Sequence, residues 1–139
     1  MKQKNKILFT LVAFMVAGAV IVAVTVFSFI RRAETDLGKM NSMVIEDVDL
    51  STIENGTYFG EFEAFPITAR VEVTVNDGAI SAITILQHRS GRGGPAEKIT
   101  DRVIEAQSLE VDTITGATLS SKVLQFAIMA ALQSGRGQE

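Results

Sequence analysis

Arg70-Val71-Glu72-Val73-Thr74-Val75-Asn76-Asp77-Gly78-Ala79-Ile80-Ser81-Ala82-Ile83-Thr84-Ile85-Leu86 is the stretch that decides the fold. Val71, Val73 and Val75 alternate with Glu72 and Thr74, which is the two-residue period of a half-buried strand. Asn76-Asp77-Gly78 is a hairpin signal, and residues 79–86 supply the return strand. On that return, Ile80, Ala82 and Thr84 face one way, and Ser81, Ile83 and Ile85 the other. Both faces are apolar, so both are expected to be covered.

Upstream, Asn55-Gly56 reads as a turn. Thr57-Tyr58-Phe59-Gly60-Glu61-Phe62-Glu63 follows with an aromatic, alternating pattern. Downstream, Arg89-Ser90-Gly91-Arg92-Gly93-Gly94-Pro95 is a glycine-rich loop. Residues 96–107 then place Ala96, Ile99, Val103 and Ile104 at helical spacing, with Pro95 acceptable in the first turn. Residues 108–114 read as a short extended strand. Residues 119–133 read as a second helix, apolar almost all round and therefore buried. Strands followed by packed helices predict an α+β domain with an antiparallel hairpin or sheet and two helices.

The N-terminal third is different in kind. Residues 7–30 carry no charge, and Thr10, Thr25 and Ser28 are their only hydroxyl residues. At about 1.5 Å per residue such a run spans roughly 36 Å, against a hydrocarbon core of about 30 Å. A cleaved signal peptide is the competing reading, with Lys2, Lys4 and Lys6 as its basic region. Its apolar region runs only about 7–15 residues, however, and Ala17-Gly18-Ala19 lies in mid-run. The sequence thus predicts an anchor over residues 1–32, a linker or short helix over 33–52 and one domain over 53–135. Lys2, Lys4 and Lys6 before the run, and Arg31 and Arg32 after it, favour a cytoplasmic N-terminus only weakly.

Beyond Arg32 the chain holds eight basic and sixteen acidic residues. Such a surface repels nucleic acid and anionic lipid, so no nucleic-acid partner is expected. There is no cysteine and a single histidine. Disulfides, thiolate metal sites and cysteine nucleophiles are excluded, and no cluster has the spacing of a transition-metal site.

The segment richest in chemistry is Asp112-Thr113-Ile114-Thr115-Gly116-Ala117-Thr118, followed by Leu119-Ser120-Ser121. It is a hydroxyl-rich turn that opens into the last helix. A helix start leaves four N–H donors unpaired and carries the positive end of the dipole, so it suits a phosphate. Gly116 permits a left-handed backbone, and Ala117 keeps the approach clear. Thr115, Thr118, Ser120 and Ser121 offer hydroxyls that either bond a phosphate or cap the helix, since Ser and Thr are common caps. Asp112 repels a phosphate; it suits a structural hydrogen bond, a cation or a modifying enzyme. His88, just before the glycine loop, either meets a ligand or bonds backbone. The glycine loop lacks the lysine of a P-loop. Arg89, Arg92, Lys98 and Arg102 form either a docking patch or a solvated surface.

The pattern Asp, two residues, Ser/Thr, Gly, Ala, Ser/Thr resembles the flavinylation sequence of the FMN-binding domain family. That family includes the C subunit of sodium-pumping NADH:quinone reductase and the G subunit of Rnf-type complexes. By chance the five constrained positions match in about one chain per thousand of this length. Gly56-Thr57-Tyr58, Asn76-Asp77-Gly78, Gln87-His88 and Ile104-Glu105-Ala106-Gln107-Ser108 look like further landmarks, so the similarity covers roughly residues 54–133. One stretch departs from it: members often carry Glu-Thr-x-Gly-x-Gly where this chain has Arg89-Ser90-Gly91-Arg92-Gly93-Gly94. Arg89 or Arg92 would there face phosphate or reduced flavin.

The resemblance implies FMN joined through its phosphate to the Thr118 hydroxyl by a magnesium-dependent flavin transferase that draws on FAD. It places Thr115, Gly116, Ala117, Ser120, Ser121 and His88 around the cofactor, and Asp112 where the transferase recognises the chain. It implies a domain outside the cytoplasmic membrane that relays electrons between membrane and extracytoplasmic redox partners. Such a small domain is expected to be a carrier and not a stand-alone enzyme. The alternatives from other classes are a flavin-based redox sensor and a cofactor-free interaction domain with Thr118 as a plain cap.

Overall fold

The computed structural model describes residues 2–91 and 93–136. Helix α1 (Lys2–Ser42) is one unbroken helix of 41 residues. Its stretch Lys6–Ser42 is long and apolar enough to cross a membrane, and the large apolar side chains from Ile7 to Ile30 are exposed. The helix continues through residues 33–42, and Met40 near its end is buried in the domain core. Residues 43–49 run on in extended form, with Val48 also buried, into a 3-10 turn at Leu50–Thr52. Asp49 caps that turn. Donation from the Ser51 hydroxyl and N–H holds its carboxyl below the ordinary aspartate range.

Among the described residues one sheet forms, of three antiparallel strands in the order β1 (Gly56–Ala64), β2 (Ile67–Asn76), β3 (Ala79–Arg89). Ile67, Ala69, Val71, Val73 and Val75 fill the inner face of the central strand, as its alternation predicts. On β3 the alternation does not run straight through. Ile80 pairs with Val75 and Ala82 with Thr74, so Ser81 is an extra residue; Ile85 pairs with Val71 and Gln87 with Arg70, so Leu86 is another. Each bulge resets the facing of the side chains. Ile80, Ile83, Ile85 and His88 therefore share the core face, while Ala82, Thr84 and Leu86 are exposed. The sheet is covered on one face, which corrects the expectation that both faces of the return strand are covered.

After a 3-10 turn (Gly94–Lys98) come α2 (Ile99–Ala106) and α3 (Thr118–Ser134). Ala96, Ile99 and Val103 are wholly buried, as the helical spacing predicts. Helix α3 lies across the inner face of β1 and β2, with Phe126 stacked on Phe62 at 4.7 Å. Gly60 lets them meet: a Cβ there would lie 2.5 Å from Ala131 N and 2.9 Å from Ala131 Cβ, and closer still to the Ala127 carbonyl oxygen.

Residues 108–114 form no strand, contrary to the sequence expectation. Their backbone groups are satisfied by side chains instead, so a ladder partner is not required. Gln125 Nε2 donates to Leu109 O and Val111 O, both at 3.0 Å, and Arg102 Nη1 donates to Asp112 O at 2.8 Å. Asp47 accepts from Leu109 N and the Ser108 hydroxyl, both at 2.6 Å, which ties the segment after α1 to the domain. Gln107, left-handed at the end of α2, bonds both backbone groups of Ile80, accepting at 2.7 Å and donating at 2.9 Å. The architecture is α+β: a long apolar N-terminal helix, a three-stranded antiparallel sheet and two further helices.

Candidate functional site

The site grows from the turn before α3. Ala117 N donates to Ile114 O at 2.9 Å, which closes a four-residue turn with Thr115 and Gly116 at its centre. Gly116 has φ +80°, the left-handed value that the third residue of a type II turn requires. Ser121 braces this turn from inside. Its hydroxyl accepts from Ile114 N at 3.0 Å and donates to Ala117 O at 2.9 Å. Ser121 is wholly buried, so its oxygen serves the backbone of the turn.

The turn delivers Thr118 as the first residue of α3. Ala117 holds the capping position, so no side chain caps the helix. Thr118 is exposed, and among the described residues its hydroxyl makes no hydrogen bond. The first N–H to bond within the helix is that of Ser121, to Ala117 O, so the N–H groups of Thr118, Leu119 and Ser120 precede the helical ladder. The expectation of a plain threonine cap does not describe this helix start.

The glycine-rich loop seats against the same helix end. Gly93 is buried on Ser120: a Cβ there would stand 2.7 Å from Ser120 Cβ and 2.9 Å from Ser90 Cβ. Ser120 is itself buried at 3% exposure, so its side chain belongs to this loop contact. Gly93→Ala is expected to cost about 1–3 kcal/mol by overpacking. Adding Ser120→Gly removes the opposing side chain, so thermal unfolding should find the double variant more stable than Gly93→Ala alone.

His88 occupies the inner face of β3 opposite Ala69. Its side chain is 1% exposed, and Nδ1 stands 3.1 Å from Glu97 Oε1, while Nε2 is buried and has no partner among the described residues. The loop histidine bonded to backbone is thus replaced by a buried imidazole oriented by a carboxylate. Asp112 is exposed. Its carbonyl is held by Arg102, and it lines a cleft of about 650 Å³ with Arg102, Glu105 and Glu110.

The structure brings Thr115, Gly116, Ala117 and Thr118 together on one turn, with Ser120 and Ser121 behind it. Arg102 is engaged by this turn, at 2.8 Å and 3.4 Å from the carbonyls of Asp112 and Thr113, and so does not belong to a free basic patch. Arg92 lies outside the described residues. Sequence reasoning missed Glu97, Gln125 and the backbone-holding role of Arg102. Gln125 had a signal, being a lone amide in an otherwise apolar helical run; the other two have none, because their partners are set by tertiary packing.

An uncapped helix start with an accessible hydroxyl and free N–H groups is a setting that suits a phosphate. Residues 66–133 match the family model described as FMN-binding domain, and the chain carries a domain of that family. No solved structure matches the chain. The match begins at the β1–β2 turn and ends in α3, so it contains every residue of the site. The residues present fit FMN: a phosphate finds three N–H donors, and Gly116, with open space beside it, leaves the approach clear.

Proposed function

We propose that this chain is a membrane-anchored electron carrier with FMN joined by a phosphoester bond to Thr118. One observation carries the reading: Thr118 presents an exposed, unbonded hydroxyl at an uncapped helix start. Attachment exchanges a phosphoanhydride for a phosphate ester. The Thr118 oxygen bonds to the FMN phosphorus of FAD, the pyrophosphate linkage breaks, AMP leaves and the hydroxyl proton passes to base. A magnesium-dependent flavin transferase performs this step, and the exposed carboxylate of Asp112 is a feature such an enzyme can recognise.

A diester keeps about one negative charge, which the helix end stabilises by roughly 0.3–1 kcal/mol. That is too little to retain a flavin on a small domain, and a covalent tether removes the dependence on affinity. Thr115, Gly116 and Ala117 shape the phosphate site, while Ser120 and Ser121 hold its walls. His88, fixed by Glu97, has an unpartnered Nε2 that suits a hydrogen bond near the cofactor. When bound, FMN supplies one- and two-electron chemistry.

The long apolar helix supports a single-pass anchor with the N-terminus cytoplasmic and the domain outside. Membrane or extracytoplasmic redox proteins would be the partners. The test is the intact mass of the full chain after co-expression with a flavin transferase. A gain of FMN less water is expected; an unchanged mass under conditions that flavinylate a positive control overturns the reading.

A further inference from the structure

The two ends of the domain are unlike in a way that fixes which one faces the bilayer. The β1–β2 turn at Phe65 touches the apolar helix: the Phe65 and Phe29 rings meet edge to face at 4.8 Å. The Arg32 guanidinium lies over the Phe65 ring at 4.8 Å and reaches Glu63 at 3.3 Å. Phe29 is the penultimate residue of the uncharged run, so this turn stands at the depth where α1 would leave the hydrocarbon. Above it α1 continues unbroken until Met40 is buried in the core, and Asp47 is then bonded to residues 108 and 109. No free tether separates the span from the domain.

Strand direction carries the functional site to the same end. β2 leaves the Phe65 turn, and β3 returns to it, with Arg89 paired to Thr68. The glycine loop follows there and seats Gly93 on Ser120. Helix α3 runs antiparallel to β1, with Phe126 level with Phe62 and Gly135 against Tyr58 at the opposite end. Thr118 lies eight residues before Phe126, about 12 Å along the helix. Phe65 lies three residues beyond Phe62, about 10 Å along the strand. Thr118 therefore stands at the depth of the Phe65 turn. The far end, with Asn55, Asp77 and the Ile53–Arg136 bridge, is about 30 Å away along β2.

We infer that the domain rests on the lipid headgroup layer with its Thr118 end down. The cofactor site then opens towards the bilayer, and its redox partner approaches from the membrane side. This rests on the reading of α1 as a membrane span. It does not depend on whether FMN is covalent.

The chain has no cysteine, so single labels are clean. Full-length Leu119→Cys, Arg89→Cys, Glu54→Cys and Val22→Cys, each carrying a bimane fluorophore, are reconstituted into phosphatidylcholine–phosphatidylglycerol vesicles. Nitroxide lipids then serve as quenchers. Headgroup nitroxides are expected to remove most emission at Leu119 and Arg89 and to leave Glu54 unchanged; acyl-chain nitroxides should quench Val22. Quenching at Val22 with Leu119 and Arg89 as bright as Glu54 overturns the orientation and leaves the anchor standing. An unquenched Val22 overturns both. Two near-end labels keep the test sound should one variant misfold.

Discussion

Thr118→Ala is expected to lose the fluorescent FMN band on a denaturing gel completely, while Thr118→Ser and Thr115→Ala keep it. Four hydroxyls stand close together over residues 115–121, and the structure separates them. Ser121 is wholly buried, with its oxygen engaged by Ile114 N and Ala117 O. Ser120 is buried beneath the glycine loop. Thr115 is exposed but sits in the turn, ahead of the helix. Thr118 alone combines exposure with the free N–H groups of the first helical turn. Thr118→Ser preserves the oxygen and its backbone setting, so only rate should change. A band that persists in Thr118→Ala, or that vanishes in Thr115→Ala, would move the attachment elsewhere.

Gly60→Val is expected to destabilise the domain by about 3 kcal/mol or more, the upper range for overpacking. The obstruction is backbone: an added Cβ meets the Ala127 carbonyl oxygen and Ala131 N, and neither can rotate away. Helix α3 must lift from β1, which also separates Phe126 from Phe62. At roughly 4–8 °C per kcal/mol for a domain of this size, the melting temperature should fall by at least about 12 °C. Circular dichroism of the full chain in detergent measures this. A shift of only a few degrees would show that α3 and β1 are not held at this spacing.

Much of the fold was legible because period and turn chemistry agree. The valines of β2, the Asn76-Asp77-Gly78 turn and the apolar face at Ala96, Ile99 and Val103 all fell where alternation and helical spacing put them. The failures have a common origin in non-local bonding. The bulges at Ser81 and Leu86 leave no mark in a single strand, because they are defined by register against β2. Residues 108–114 have strand-like composition, yet their carbonyls are taken by Gln125 and Arg102. The polar stretch 33–42 reads as a linker or a short helix because it lacks a strong period; it continues α1, with Met40 buried near its end.

The site was legible to the same extent. Gly116 and Thr118 announce themselves, since positive φ and helix starts have strong local preferences. Ser121 looked interchangeable with Ser120 and Thr115 until its bonds to Ile114 and Ala117 set it apart. The Glu97 partner of His88 lies nine residues away with no intervening periodicity, and only the fold of the glycine loop brings the two together.

The bond pair between Gln107 and Ile80 has a consequence for how the chain behaves when crowded. β3 is an outer strand, and an outer strand with bare N–H and C=O groups invites pairing with another molecule. The Gln107 amide occupies both groups of Ile80, as a neighbouring strand would. The two bulges further along break the even spacing that a foreign strand would need. The margin at β3 is thus guarded against pairing edge to edge with another copy in the same patch of membrane.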